Sequence, residues 1–408
     1  MGDRINIQLE AVRHLTAQDE QTLVEAAFAR NPSPAMRWRL AALLTFNDEI
    51  GAVTELLADR SDLTVSEEIL LGQAWLAHES AEGDAAARAA GDRAVTLSAY
   101  DDERAAALAL RGKAETRMGD IDAAYVTLTD ALALDPHNKD ACKRRAALDL
   151  AAGDASAVLA MYDDLAAKGA AHSRLFAAKA LAHARRDERD QTRAIMGSDF
   201  FRAEKLSPPP GWDSIEAFNA ALAEQLVAHP GLRYERYGSA SELTWRIDSP
   251  LNPAAPLVRV LLDHIANAIN AHVGGMDATG HPWADARPAD ATLRAWCVIT
   301  ESDGYETWHV HQFGWLSGAY YVRVPESIAR GNSEAGCIAL GLPEDLAGEE
   351  AAAAYGIEVI RPQDGLCLMF PSHTYHRTFP HGLRDRRICV AFDLKPRMVA
   401  ADEEAAAA

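Results

Sequence analysis

The chain has 408 residues, of which 49% are apolar and 25% charged, and its formal net charge is −20. This acidic balance argues against a nucleic-acid partner, because phosphates require a basic surface, whereas it permits a basic protein or peptide. No apolar stretch approaches the ~18 residues of a membrane span, and the N-terminus lacks the apolar core of a secretory signal. The five cysteines are scattered, which is typical of reduced thiols, so we expect a cytoplasmic protein.

Residues 1–206 are rich in alanine and poor in proline, which predicts helices throughout. Turn-like pairs recur there at intervals of 33 to 36 residues, and RGKAETRMGDIDAAYVTLTDALALDPHN is the clearest unit. This pattern resembles the tetratricopeptide repeat, which implies an α-solenoid with a concave surface for a protein or peptide. Alternatively, the repeats only pack against the second domain, or they form a homodimer. The predicted turns are Asn47-Asp48, Gly83-Asp84, Gly119-Asp120, Gly153-Asp154 and Arg186-Asp187.

The composition changes after residues 207–212, where a proline-rich linker breaks the helical pattern. Residues 214–228 and 256–273 have the apolar spacing of amphipathic helices. Seven short β-type runs follow, as expected of a sandwich or barrel in residues 213–396, and residues 397–408 are expected to form a disordered tail. The fold class is therefore α+β and multidomain. The predicted strands are 293–300, 316–324, 337–342, 357–362, 366–371, 375–380 and 386–394.

Three histidines are the candidate metal ligands. His309 and His311 are two residues apart, so in a strand they point to the same face, and His376 lies in a later strand. Together the three imidazoles could share one metal ion. Imidazole ligands suit iron, zinc, copper and nickel alike, so the residue type does not select the metal.

Two arginines follow His376 on the last predicted strand. Because strand residues alternate between faces, one of Arg386 and Arg387 must face the apolar side of the sheet or its end. A buried arginine needs an anion, and a small-molecule carboxylate held by the guanidinium fork would satisfy it. An internal Asp or Glu is the alternative partner.

The blocks HxH…GWLSGxYYV, GxLxxFPSxxxH and RxCVAF resemble the prolyl-hydroxylase-like branch of the 2-oxoglutarate and iron(II)-dependent oxygenases. The resemblance covers roughly residues 210–396 and implies a jelly-roll, or double-stranded β-helix, fold. It implies that His309 and His376 ligate iron(II) and that Arg387 binds the far carboxylate of 2-oxoglutarate, with Arg386 as the alternative. Cys389 then takes the place of an assisting hydroxyl. One of Tyr320 and Tyr321 must also point inward, and Tyr321 is the candidate cofactor contact.

His311 departs from the family pattern, which has Asp or Glu at that position. Either His311 ligates the metal directly, or it lies behind the ligands and a carboxylate or water completes the site. The candidate carboxylates are Glu301, Asp303 and Glu306.

The resemblance implies a dioxygenase that uses iron(II), 2-oxoglutarate and O2, with ascorbate as a supporting reductant. The expected reaction is hydroxylation of a protein, peptide or amino-acid-like substrate presented by the repeats. Two alternatives are a repeat-based scaffold with a degenerate or sensory metal site, and a three-histidine dioxygenase that does not use 2-oxoglutarate.

Overall fold

The computed structural model describes residues 4–234, 240–276 and 280–397. The chain divides into two compact units. A helical unit comprises Leu15–Ala170, and a β-rich unit joins Met1–His14 to Ala171–Ala408. Within the described ranges, no helix is both long enough and apolar enough to cross a membrane.

The helical unit is a series of helices in which each packs on the next along the chain. This arrangement confirms the predicted repeat-like solenoid, because a helix in a solenoid buries its apolar face against its sequence neighbours. The helices are α1 (Ala17–Arg30), α2 (Pro34–Phe46), α3 (Ile50–Leu57), α4 (Val65–Ala77), α5 (Ala81–Leu97), α6 (Asp101–Arg117), α7 (Ile121–Leu134), α8 (Lys139–Ala151) and α9 (Ala155–Ala167).

Four of the five predicted turns lie between helices, and the exception is Gly83-Asp84, which lies inside α5. The turn before α5 is three residues earlier, where the Ser80 hydroxyl accepts a hydrogen bond from the Gly83 amide at 3.0 Å. A Cβ on Gly83 would stand 2.6 Å from the carbonyl oxygen of Trp75. This glycine therefore serves close packing against α4, and the sequence pattern alone does not separate that role from a turn.

A buried ion pair joins α2 to the first turn of α4. The Arg37 guanidinium donates to both carboxylate oxygens of Glu67 at 2.7 and 3.0 Å, and Glu67 is fully buried. Arg37→Ala leaves that carboxylate without its cation, so we expect a loss of about 3–5 kcal/mol in the free energy of unfolding, measured by urea denaturation. The control is Arg39→Ala, which removes an exposed pair with Glu20 and should cost less than about 1 kcal/mol. Equal urea concentrations at the midpoint of unfolding for the two variants would contradict the prediction.

The β-rich unit contains the remaining elements. Its helices are α10 (Ser173–Arg185), α11 (Arg189–Met196), α12 (Ile215–Val227), α13 (Pro256–Gly274), α14 (Pro282–Asp285), α15 (Glu326–Ala329), α16 (Glu344–Ala347) and α17 (Glu349–Tyr355), with a short 3-10 turn at Ser198–Phe200. Its strands are β1 (Asn6–Leu9), β2 (Arg202–Lys205), β3 (Arg233–Tyr234), β4 (Ser241–Ile247), β5 (Asp290–Glu306), β6 (Leu316–Arg323), β7 (Ile338–Leu340), β8 (Glu358–Ile360), β9 (Leu366–Pro371), β10 (His376–Thr378) and β11 (Leu383–Pro396).

Two sheets form the core of this unit. The larger has the order β2-β9-β6-β11-β5-β4-β3, with β1 added in parallel to β5, and the smaller has the order β10-β7-β8. The other strand pairs are antiparallel, as a jelly roll requires. All seven predicted strands are present, which confirms the predicted α+β fold. Strands β1 to β4 were not predicted from the sequence.

The predicted boundary at residue 206 differs from the division in the structure, which falls after Ala170. Helices α10 and α11 belong to the β-rich unit because they are bonded to its loops. The Ser173 hydroxyl donates to the Gly314 carbonyl at 2.7 Å, and His373 Nε2 lies 2.6 Å from the Ile195 carbonyl oxygen. Residues 207–212 accordingly lie within this unit, between β2 and α12, rather than between the two units. Residues 398–408, most of the predicted tail, lie outside the described residues.

Candidate metal centre

The segment between β5 and β6 is held against the start of β10 by backbone hydrogen bonds. The His309 amide donates to the His376 carbonyl at 3.0 Å, and the His376 amide donates back to the His309 carbonyl at 3.1 Å. The His311 amide donates to the Ser372 carbonyl at 2.9 Å. These three bonds bring together two parts of the chain that are 67 residues apart from His309 to His376.

The side chains of His309, His311 and His376 converge. One nitrogen from each lies within 4.8 Å of those of the other two, and among the described residues they form the one group of this kind. The Nε2 atoms of His309 and His311 are 3.3 Å apart. The three residues that the sequence analysis selected are therefore adjacent in the structure.

The opposite ring nitrogens fix the tautomers. The Nδ1 atom of His309 lies 2.7 Å from the Thr307 carbonyl oxygen, and that of His376 lies 2.9 Å from the Thr374 carbonyl oxygen. A carbonyl oxygen only accepts, so each Nδ1 carries the proton and each Nε2 presents a lone pair. This donor set fits a metal ion bound by imidazole nitrogens.

Burial keeps these imidazoles uncharged at neutral pH. Burial, and then the neighbouring His311, lower the pKa of His309 to about 4. Burial, followed by the His309 and His311 rings, holds the pKa of His376 well below its ordinary value. Neutral rings are the form that ligates a metal, so protons do not compete for these two residues near pH 7.

His311 has a different partner. Its Nδ1 atom lies 2.5 Å from the Oδ1 atom of Asp393 on β11, and the Ser317 hydroxyl donates to the same oxygen at 2.7 Å. Burial raises the pKa of Asp393, but His311 and Ser317 outweigh it, so the net pKa is below the ordinary value. Sequence analysis missed Asp393. A signal was present, because an acid in the apolar run ICVAFDL requires a partner.

The three histidines line a cavity between the sheets, whose empty volume including its open mouth is about 490 Å³. Its wall combines apolar side chains, which exclude water, with a few polar ones, as small-molecule sites do. The polar residues beside the histidines are Glu306, Tyr321, Thr378, Arg387 and Cys389, and the apolar ones include Val298, Ile338, Phe370 and Ala391.

Arg387 lines this cavity and is only 2% exposed. One of its Nη atoms donates to the Gly336 carbonyl at 2.5 Å, and no carboxylate among the described residues forms an ion pair with it. A buried cation of this kind requires an anion. Arg386 is 35% exposed at its side chain and pairs with Glu301 at 3.0 Å. Strand alternation thus separates an outward arginine from an inward one that can accept a carboxylate ligand.

Tyr321 and Cys389 lie opposite each other in register, one on β6 and the other on β11, and both line the cavity. Tyr320 points away, and its hydroxyl donates to the Asn219 side-chain oxygen at 2.8 Å. Burial raises the pKa of the Cys389 thiol to about 11 and raises that of the Tyr321 hydroxyl. Both groups are therefore neutral hydrogen-bond donors at physiological pH.

Of the three carboxylates considered as completing ligands, only Glu306 lines the cavity. Its Oε2 atom lies 3.9 Å from His309 Nε2, and its Oε1 atom accepts a hydrogen bond from the Ser241 hydroxyl at 2.5 Å. Glu301 is occupied by Arg386, and Asp303 is exposed. Sequence analysis also missed Trp296, which lines the cavity with its ring centroid 5.2 Å from that of His311.

The part of the chain that forms most of this cavity matches a known family model. Residues 294–393 match the family model described as "Putative 2OG-Fe(II) oxygenase", which confirms the resemblance drawn from the sequence. A search of curated proteins gave no match.

Solved structures are similar to parts of the chain. A prolyl-4-hydroxylase of Pseudomonas putida is 14% identical over 50% of this chain and 99% of its own, with a TM-score of 0.32. A tetratricopeptide-repeat protein of Thermus thermophilus is 22% identical over 36% of this chain and 81% of its own, with a TM-score of 0.31.

Proposed function

We propose that this protein is a non-haem iron(II) and 2-oxoglutarate-dependent dioxygenase that hydroxylates a protein, peptide or amino-acid-like substrate. One observation carries the proposal. One ring nitrogen from each of three imidazoles converges in the same cavity as Arg387, a cation that has no carboxylate partner among the described residues. A divalent metal and a dicarboxylate would satisfy both features at once.

His309, His311 and His376 would hold the iron through Nε2, and the Thr307 and Thr374 carbonyls keep two of these rings in the ligating tautomer. When bound, iron(II) and 2-oxoglutarate supply the reduction of O2 that converts 2-oxoglutarate to succinate and CO2 and places one oxygen atom on the substrate. Arg387 would bind the far carboxylate of 2-oxoglutarate through its guanidinium fork. Tyr321 and Cys389 would donate hydrogen bonds beside it, while Phe370 and Ile338 exclude water.

The presence of the helical unit favours a protein or peptide substrate over a small metabolite. A series of packed helix pairs forms an extended surface that suits a peptide or a protein segment better than a metabolite. The net charge of −20 favours a basic partner over an acidic one. We infer that the repeats present the substrate to the β-rich unit.

The test is turnover of 2-oxoglutarate by anaerobically purified protein reloaded with iron(II), supplied with O2 and ascorbate. We expect succinate to form, and we expect 2-oxoglutarate binding, measured by calorimetry, to require the metal. The calorimetric measurement does not depend on the unidentified substrate. Metal-loaded protein that neither binds 2-oxoglutarate nor releases succinate would refute the proposal.

A second candidate is a dioxygenase that uses three histidines and no 2-oxoglutarate. It is favoured by the nature of the donor set, since His311 offers an imidazole where a carboxylate would be expected. This alternative gives no role to Arg387 as a cofactor anchor. It predicts iron binding without any metal-dependent binding of 2-oxoglutarate, so the same calorimetric experiment separates the two.

A further inference from the structure

We propose that Asp393 is a positioning residue that supplies, through His311, the negative charge that a divalent metal needs at this site. The proposal rests on the metal site of the proposed function and extends it to a residue that does not touch the metal. His311 and Asp393 would act together as an anionic unit, in place of a carboxylate bound directly to the ion.

The three ring nitrogens that face away from the site have unequal partners. His309 and His376 are each held by the backbone carbonyl of a threonine, which offers only a dipole. His311 is held by a full carboxylate at 2.5 Å. A charge-assisted hydrogen bond is shorter and stronger than a neutral one and makes the imidazole a better electron donor at Nε2. Of the three candidate ligands, His311 is therefore the one whose electron donation to a metal is strengthened by a neighbouring negative charge.

The surroundings of Asp393 fix it in place. The Ser317 hydroxyl donates to Asp393 Oδ1 and shares a 2.6 Å hydrogen bond with the Ser372 hydroxyl. Ser372 in turn accepts the backbone amide of His311 through its carbonyl at 2.9 Å. His311 is thus tied at its backbone and at its ring to one buried network, which holds the imidazole in a single orientation.

Gly314 closes this network from the loop side. A Cβ at this position would lie 2.4 Å from the Ser372 hydroxyl oxygen and 3.2 Å from Asp393 Oδ1. A side chain at this position would therefore displace the Ser372 hydroxyl from the network, and the loop backbone lies against the carboxylate. Shielding from water strengthens the interaction between the Asp393 charge and a cation bound at His311.

A divalent ion bound by these three histidines would need a nearby negative charge. Three neutral imidazoles leave the whole charge of a divalent ion in a buried cavity, which is costly without a nearby anion. Among the residues that the structure describes, two carboxylates are placed to provide this anion. Asp393 acts through His311, whereas Glu306 faces the site directly with its Oε2 atom 3.9 Å from His309 Nε2. Asp393 is the better placed of the two, because it is already bonded to a candidate ligand, whereas Glu306 Oε1 is bonded to Ser241.

The test measures Co²⁺ binding to the full-length protein by calorimetry and by the visible absorption of the bound ion. Asp393→Asn is nearly isosteric and retains an oxygen that can accept the His311 Nδ1–H bond, so it removes charge while keeping the ring contact. We expect its dissociation constant to rise by about 10- to 100-fold and the absorption spectrum to shift. Glu301→Gln, which removes a carboxylate outside the cavity, is the control and should bind as the parent does.

Several outcomes overturn the proposal. If Asp393→Asn binds Co²⁺ with the parent's affinity and spectrum, Asp393 only holds the ring, and the proposed function is untouched. If Glu306→Gln weakens binding more than Asp393→Asn does, Glu306 supplies the charge. If the parent protein binds no divalent metal, both the proposed function and this inference fail. Thermal melts of every variant establish that a loss of binding is not a loss of folding.

Discussion

Replacing Arg387 by alanine should raise the KM for 2-oxoglutarate by about 30-fold or more, because loss of one partner from a buried charge pair costs about 2–5 kcal/mol. Arg387 is 2% exposed and has no carboxylate partner among the described residues, so the cofactor would be its main anion. The far carboxylate is bound equally before and during the reaction, so kcat should change less than KM. Initial rates of succinate release and calorimetric binding both measure the effect.

The neighbouring arginine provides a matched control. Arg386→Ala removes a cation from the same strand, but its side chain faces outward and pairs with Glu301 at 3.0 Å. The KM for 2-oxoglutarate should stay within about twofold of the parent value, since exposed ion pairs contribute little. Arg387→Lys keeps the charge and loses the planar fork, so its KM should be intermediate. A large effect at Arg386 together with a small one at Arg387 would show that the anchor has been assigned to the wrong residue.

The preference for 2-oxoglutarate over a shorter 2-oxo acid is a second measurement, and a misfolded variant would not change this ratio selectively. A 2-oxo acid that lacks the far carboxylate has nothing to bind at Arg387. The parent protein should therefore use 2-oxoglutarate much better than this analogue, and Arg387→Ala should lose that preference. If the variant still strongly prefers 2-oxoglutarate, the anion is recognised by another residue.

The sequence predicted those parts of the site that depend on short-range geometry. His309 and His311 are two residues apart, and Arg386 and Arg387 are adjacent, so alternation along an extended chain determines which side chains can share a face. The same reasoning located the seven strands of the core, because each is a run of apolar and β-branched residues. Helical spacing likewise located the amphipathic helices α12 and α13.

The parts that the sequence did not reveal depend on long-range contacts. Asp393 faces His311 across 82 positions of sequence, and only the register of β11 in the sheet brings them together. Helices α10 and α11 continue the repeat pattern, yet they pack on the β-rich unit because Ser173 and Ile195 bond to its loops. Gly83 looks like a turn residue and is instead a site of close helix packing. In each case the local pattern is compatible with two structures, and tertiary contacts select one.

Replacing His376 by alanine should abolish stoichiometric iron binding. His376 is the one candidate ligand from the smaller sheet, and its Nε2 lone pair would close the set formed with His309 and His311. Loss of a ligand removes a metal–nitrogen bond and leaves only two adjacent imidazoles to hold the ion. We expect the affinity to fall by more than the roughly 10- to 100-fold that follows from losing a ligand's hydrogen-bond partner. Elemental analysis after anaerobic purification and competition with a chelator measure this loss.

The control for adventitious binding is His264→Ala, because His264 is a solvent-accessible histidine of α13 whose Nε2 atom contacts the Ser207 carbonyl oxygen. Its iron content should equal that of the parent. The reciprocal hydrogen bonds between His309 and His376 use backbone atoms only, so His376→Ala keeps them and the local fold should persist. Circular dichroism and thermal melts test that point. A folded His376→Ala protein that retains one iron per chain would place the metal elsewhere and would remove the basis for assigning iron chemistry to this cavity.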